Sequence, residues 1–192
     1  FSLIFFYIFE DMKKLIFILI LIPLFTLSQQ KTYVPDDDFE FSLINLGIDN
    51  VIDDSVLTST IDTVTVLYLG FFISNISDLT GIEDFVSLID LTIWYQNLTT
   101  LDVSYNTLLE SLNCSGNQIT NLDLSNNSFL TNLECSSNLL TSLDLRNGNN
   151  TNMINFSSSN NPNLTCINVD DSTYSSNNWT YNIDPQQYFS NN

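Results

Sequence analysis

Five short segments of this chain open on a leucine at alternating intervals: Leu101-Asp-Val-Ser, Leu112-Asn-Cys-Ser, Leu122-Asp-Leu-Ser, Leu133-Glu-Cys-Ser and Leu143-Asp-Leu-Arg. The leading leucines stand 11, 10, 11 and 10 residues apart, and alternate segments match best, so the period is 21. A fixed period of this size is the signature of a solenoid. A unit so short has no core of its own and must bury its apolar side against its neighbours. Such a stack displays an extended surface and does not readily enclose a catalytic pocket.

Each half-unit has the form L-x-x-L-x-L/C-x-x-N. Side chains alternate along an extended chain. The first and third residues of the L-x-L triplet therefore face inward, and Asp102, Asn113, Asp123, Glu134 and Asp144 face water. Five residues after the leading leucine stand Asn106, Asn117, Asn127 and Asn138. Asparagine bonds turn backbone and tolerates left-handed geometry, so stacked copies form a polar ladder at the bends. A helix is a poor reading of these repeats: no i, i+3, i+4, i+7 register is sustained, and Ser and Asn recur every few residues.

The leucine spacing, the asparagines and runs such as Leu140 to Leu145 resemble the nested 21-residue, internalin-like leucine-rich repeats of bacterial secreted proteins, over residues 67–169. The resemblance implies a right-handed β-solenoid, with one ladder of short parallel strands per 10- or 11-residue half-unit and a small N-terminal α-helical cap. It further implies protein binding or adhesion. The pattern loosens at its ends. Gln96 stands where asparagine is expected after Leu91, and Leu67-Tyr-Leu69 is followed by a two-residue expansion. Gly148 takes the asparagine place after Leu143, and Ile154-Asn-Phe156 has its asparagine one residue late, at Asn160. The stretch from Ile76 to Phe85 is similar to the longer internalin style of repeat.

The ends are read as follows. Residues 1–11 are upstream or fragment sequence. Met12-Lys13-Lys14 and an apolar run of 13 residues make 12–28 a secretory signal, too short for a membrane anchor. Residues 29–63 form the N-terminal cap: Asp36 or Asp37 caps a helix that buries Phe39, Leu43 and Leu46, Gly47 ends it, and residues 53–57 add a helical turn. The array spans 64–169. Residues 170–192 cap the other end, with Trp179, Tyr181, Ile183 and Tyr188 folding over the last coil. In similar proteins the cysteine equivalent to Cys166 has a partner shortly downstream; none occurs before Asn192, which predicts truncation.

The net charge of -18 repels nucleic acid and anionic lipid. The chain has no histidine, no phosphate-binding glycine loop and no Cys-x-x-Cys pair, so the expectation is a non-catalytic, secreted or cell-surface monomer that needs no cofactor. Its partner is a protein or a surface glycan; a structural spacer is a third reading. Asp102, Asp123 and Asp144 form a column, read either as a solvated face or as a calcium site. Trp94, Tyr95 and Tyr105 form a recognition patch or cover the junction between irregular and regular coils. Cys114 and Cys135 occupy matching inward positions, where parallel side chains suit buried thiols better than a bridge.

Overall fold

The computed structural model describes residues 29–70 and 75–191 of the 192-residue chain. The expected signal segment and the upstream residues lie outside them. Among the described residues no helix is long and apolar enough to cross a membrane.

The chain opens with a small cap. Strand β1 (Lys31–Tyr33) pairs antiparallel with β2 (Ser55–Leu57). Between them runs helix α1 (Asp37–Asn45), whose N-cap Asp36 accepts from the Phe39 N–H at 2.9 Å. Phe39 and Leu43 are fully buried. Leu46 is not: the helix ends one residue before it, and Gly47 turns the chain away at φ 73°. The helical turn expected at residues 53–57 is instead strand β2, followed by the short α2 (Thr58–Ile61). The cause is Glu40, buried on α1, whose carboxylate accepts the backbone N–H groups of Asp53, Asp54 and Ser55 at 3.0–3.1 Å and holds them extended.

The array then alternates between two parallel sheets. The first contains β3 (Val66–Tyr68), β4 (Asp90–Thr92), β5 (Ser111–Asn113), β7 (Asn132–Glu134) and β9 (Asn155–Ser157). The second contains β6 (Asn121–Asp123), β8 (Ser142–Leu145), β10 (Cys166–Val169) and β11 (Tyr188–Ser190). Leu67, Leu91, Leu112, Leu133 and Phe156 stack in register through the first sheet, and Leu122, Leu143, Ile167 and Phe189 through the second. All nine are buried. Burying such a side chain contributes roughly 1.5–3 kcal/mol, and the stack repeats that gain in every half-coil.

Three expectations change in detail. The repeat predicts a strand opening on each leading leucine, but Leu112, Leu122, Leu133 and Leu143 lie inside their strands, with a paired residue on each side. Leu101 is buried but lies in no strand. The coil after β7 is two residues longer than the period, so Phe156 and not Ile154 takes the leucine place, and Ile154 is exposed.

At the far end α3 (Ser172–Asn178) carries the chain across the last coil. Trp179 stacks on Phe156 with ring centroids 4.9 Å apart, and Phe189 meets both rings edge-on. Trp179 thus closes the core as expected, and Ile183 packs partly against it, but Tyr181 and Tyr188 stay exposed.

Candidate functional site

The bends of the solenoid are held by side-chain amides. Asn117 donates to Ile93 O at 2.8 Å and Cys114 O at 3.0 Å, while its Oδ1 accepts from the Leu98 N–H. Asn138 and Asn161 repeat this one and two coils on. Gln96 begins the same spine by accepting from the Ile76 N–H at 3.1 Å, so the glutamine performs asparagine's task. The final rung is Asn161 and not Asn160, since it lies five residues after Phe156; Asn160 is exposed at φ 58°. On the other side Asn106 donates to Ile82 O and Phe85 O, Asn127 to Val103 O and Asn106 O, and Asn147 to Asn127 O. The vacancy expected at Gly148 is thus filled by Asn147, with Asn150 donating to Leu145 O.

With the bends fixed, the outward residues form rows. On the first sheet Tyr68, Thr92, Asn113, Glu134 and Ser157 align, beside Val66, Asp90, Ser111, Asn132 and Asn155. Most of these are neutral, and they bond along the row: Asn113 Nδ2 to Glu134 Oε2 at 2.9 Å, and Asn155 Nδ2 to Asn132 Oδ1 at 2.8 Å. Tyr68 donates to Asp90 Oδ2 at 3.2 Å, and the adjacent carboxylate charge raises its phenol pKa.

Trp94 and Tyr95 leave this sheet just after β4, their rings 6.3 Å apart. The Trp94 ring occupies the space a Cβ on Gly70 would need, 1.7 Å from its position, and so covers the junction with the preceding coil. Tyr95 is different. It is 77% exposed and sits at φ 52°. Its coil equivalents at the same left-handed turn are Gly116 (φ 71°), Ser137 (φ 57°) and Asn160 (φ 58°), all small residues. A bulky side chain there is an outlier. Its ring lies over Gly116, where a Cβ would come within 2.6 Å of it. Tyr105 does not join this pair. It follows the second half-unit and lines a separate groove of about 370 Å³ with Asp78, Thr80, Glu83, Thr100 and Asp102.

The aspartate column is partly built. Asp123 and Asp144 pair directly across β6 and β8, but the next rung is Asn168, and Asp102 precedes the ladder. Each aspartate accepts the N–H two residues on, from Ser104, Ser125 and Arg146. Ser104, through its side chain and then its backbone, lowers the Asp102 pKa; the Arg146 side chain lowers that of Asp144. These carboxylates therefore fix the turns where the strands end. The carboxylates of Asp37, Glu40 and Asp54 also converge within 4.8 Å, but Glu40 already receives the backbone bonds described above. Cys114 and Cys135 are free and fully buried in successive coils, and burial pushes the Cys114 thiol up to about 12 and that of Cys135 well above its usual value.

The sequence held signals for the glutamine spine, since Gln96 stands five residues after Leu91, but none for the left-handed geometry of Tyr95 or the anchor at Glu40.

No protein-family model and no curated protein matches the chain significantly. Solved structures do. The functional domain of InlJ from Listeria monocytogenes, described as including a cysteine ladder, is 32% identical and superposes with a TM-score of 0.60 over 72% of this chain and 33% of that one. An internalin, InlF, from Listeria monocytogenes is 19% identical with a TM-score of 0.56, over 79% of this chain and 57% of that one, and shares the fold. The chain thus spans about a third of the InlJ structure it matches.

Proposed function

From the premise that this chain is an internalin-like leucine-rich repeat protein, we propose that it is an exported, non-catalytic module whose first sheet, at the Trp94–Tyr95 step, binds a protein. Tyr95 carries the reading. A residue held in a sparsely populated backbone region costs of order 1–3 kcal/mol and persists at functional sites. The ring contributes little burial in return, since it is 77% exposed. Exposed aromatics beside mostly neutral polar rows are the composition of an interface centre, where tyrosine and tryptophan are enriched and charge is depleted. Export is supported by the basic start and apolar run of residues 12–28. We take the chain to act as a monomer without a cofactor.

The test is saturation binding of the chain against a displayed library of extracellular protein domains, with Tyr95→Gly as the matched control. The variant relieves the left-handed strain, so its melting temperature should be unchanged or raised. A saturable protein ligand should lose at least about tenfold in affinity, or about 1.4 kcal/mol. A ligand indifferent to the variant, or no ligand at all, contradicts the reading.

A further inference from the structure

The closing coil contains a second surface with different chemistry. A groove of about 190 Å³ lies between β9 and the segment after α3, lined by Ile154, Asn155, Phe156, Asn178, Trp179, Tyr181 and Asn182. None of these residues is charged, in a chain of net charge -18. The volume is below the roughly 300–1,000 Å³ of sites for drug-sized ligands, so it suits a single ring.

Its polar groups are unevenly used. The indole of Trp179 is 94% buried, yet its Nε1–H has no hydrogen-bond partner. That nitrogen is sealed from solvent, so the indole offers the groove an apolar surface only. The three asparagines are oriented by bonds from their amide nitrogens: Asn155 to Asn132 Oδ1, Asn178 to Tyr174 O and Asn182 to Phe156 O. Those bonds leave the amide oxygens as acceptors. Tyr181, 93% exposed, stands at the rim with both ring faces open. It contributes nothing to the core, unlike Trp179 and Phe189 beside it.

A ligand matching this site is neutral, one ring in size and rich in hydroxyl donors for the amide oxygens. It also needs an apolar face for the tyrosine ring. We propose that this C-terminal groove binds a neutral pyranose sugar, with Tyr181 stacking on the ring, Trp179 lining the groove as an apolar wall, and Asn178 and Asn182 accepting from hydroxyls. A cation is disfavoured because no carboxylate lines the groove, and an anion because no cation does. The site is separate from Tyr95 and adds a ligand class to the protein-binding reading without depending on it.

The experiment is ligand-observed saturation-transfer NMR on the whole chain, with methyl glucoside, methyl galactoside, methyl mannoside and N-acetylglucosamine as neutral probes and glucuronate and glucosamine as charged ones. At least one neutral probe should bind saturably with a Kd of about 1 mM, the order expected for so small a ligand. Transfer should be strongest to the C–H protons of one ring face. Tyr181→Ala should weaken binding at least about fivefold with an unchanged melting temperature, because the removed ring is outside the core. No saturable neutral probe up to about 100 mM, a charged probe binding more tightly, or unchanged affinity in Tyr181→Ala would each overturn the proposal. Tyr95→Gly should leave sugar binding intact, so failure of one site is distinguishable from failure of the other.

Discussion

The two sheets are built from nearly the same half-unit and are not equivalent. The first runs unbroken from β3, next to the cap, to β9. Its amide spine is satisfied on both sides at Asn117, Asn138 and Asn161, where each nitrogen donates and each Oδ1 accepts. The second begins only at β6, and the buried Oδ1 atoms of Asn106 and Asn127 have no partner. The first is therefore the framework, and the second is built against it once the coils are regular. Their surfaces differ accordingly. The first presents mostly amide and hydroxyl rows, with Asp90 and Glu134 at separate rungs and aromatics at one end; the second sets Asp123 directly beside Asp144, with Arg146.

The largest expected effect tests the framework. Leu133→Ala should cost ~2–5 kcal/mol, through lost burial and an unfilled cavity inside the first sheet. Leu101→Ala should fall at the low end of that range, since Leu101 is slightly exposed and outside any ladder. Denaturant midpoints at constant slope decide this, and equal losses would erase the distinction between the two regions.

The spines differ by a smaller margin. Asn138→Ala removes bonds to Cys114 O and Cys135 O and leaves the buried Ile119 N–H without an acceptor. Asn127→Ala removes two donated bonds but also an unpartnered oxygen. An unsatisfied buried group costs about 1–3 kcal/mol, so Asn138→Ala should be the more damaging by about 1 kcal/mol or more. The reverse order would mean that the second spine carries the fold.

Thiol labelling sharpens the contrast without altering stability. Iodoacetamide attacks thiolates. Cys114 and Cys135, with pKa values raised by burial, should stay unlabelled in the native chain, while half-buried Cys166 on the second sheet reacts. Mass spectrometry should find one modification in buffer and three in denaturant, one for each cysteine of the chain. Rapid native labelling of Cys135 would contradict the packing of the first sheet.

The smallest effects lie on the acidic face. Arg146 depresses the Asp144 pKa in the folded state. This pair therefore adds stability above the unfolded-state pKa, and the contribution is lost as pH falls through the lower folded value, below about pH 4. Arg146→Met should cost little at pH 7, since the pair is surface-exposed. The difference should vanish in acid, and a gap widening below pH 4 would show the sign to be wrong. Asp123→Asn relieves repulsion across the register and keeps the acceptor for Ser125, so stability should be unchanged or slightly raised. A melting-temperature gain specific to millimolar calcium, and lost in that variant, would instead make the pair a cation site.

Sequence reading and structure agree where periodicity carries the information. Every repeat from Leu112 to Leu143 keeps its leucine in a strand and buries it, because burial and stacking both depend on spacing alone. Agreement fails where a local contact overrides the pattern. Residues 53–57 read as helical, but Glu40, thirteen or more residues away, holds them extended. The two added residues before Phe156 shift the register, so Ile154 aligns by count, with Asn160 one residue late, while Phe156 and Asn161 align in space. Trp94, Tyr95 and Tyr105 read in sequence as one aromatic patch a coil apart, yet Tyr105 belongs to the other half-unit and lines a separate groove. The closing groove was beyond reach, because its neutrality and its unpartnered indole exist only once α3 lays Trp179 across Phe156.

The framework claim is tested most directly by native-state hydrogen exchange. The Ser111 and Asn132 amides donate to Ile89 O and Glu110 O in the first sheet. They should open only with global unfolding, with an exchange free energy that follows added denaturant at the full slope. Residues 101–103, which lie outside any ladder, should exchange by local opening with little denaturant dependence. Protection at 101–103 equal to that at Ser111 and Asn132 would contradict the account, because the second half-units would then be as firmly laddered as the first.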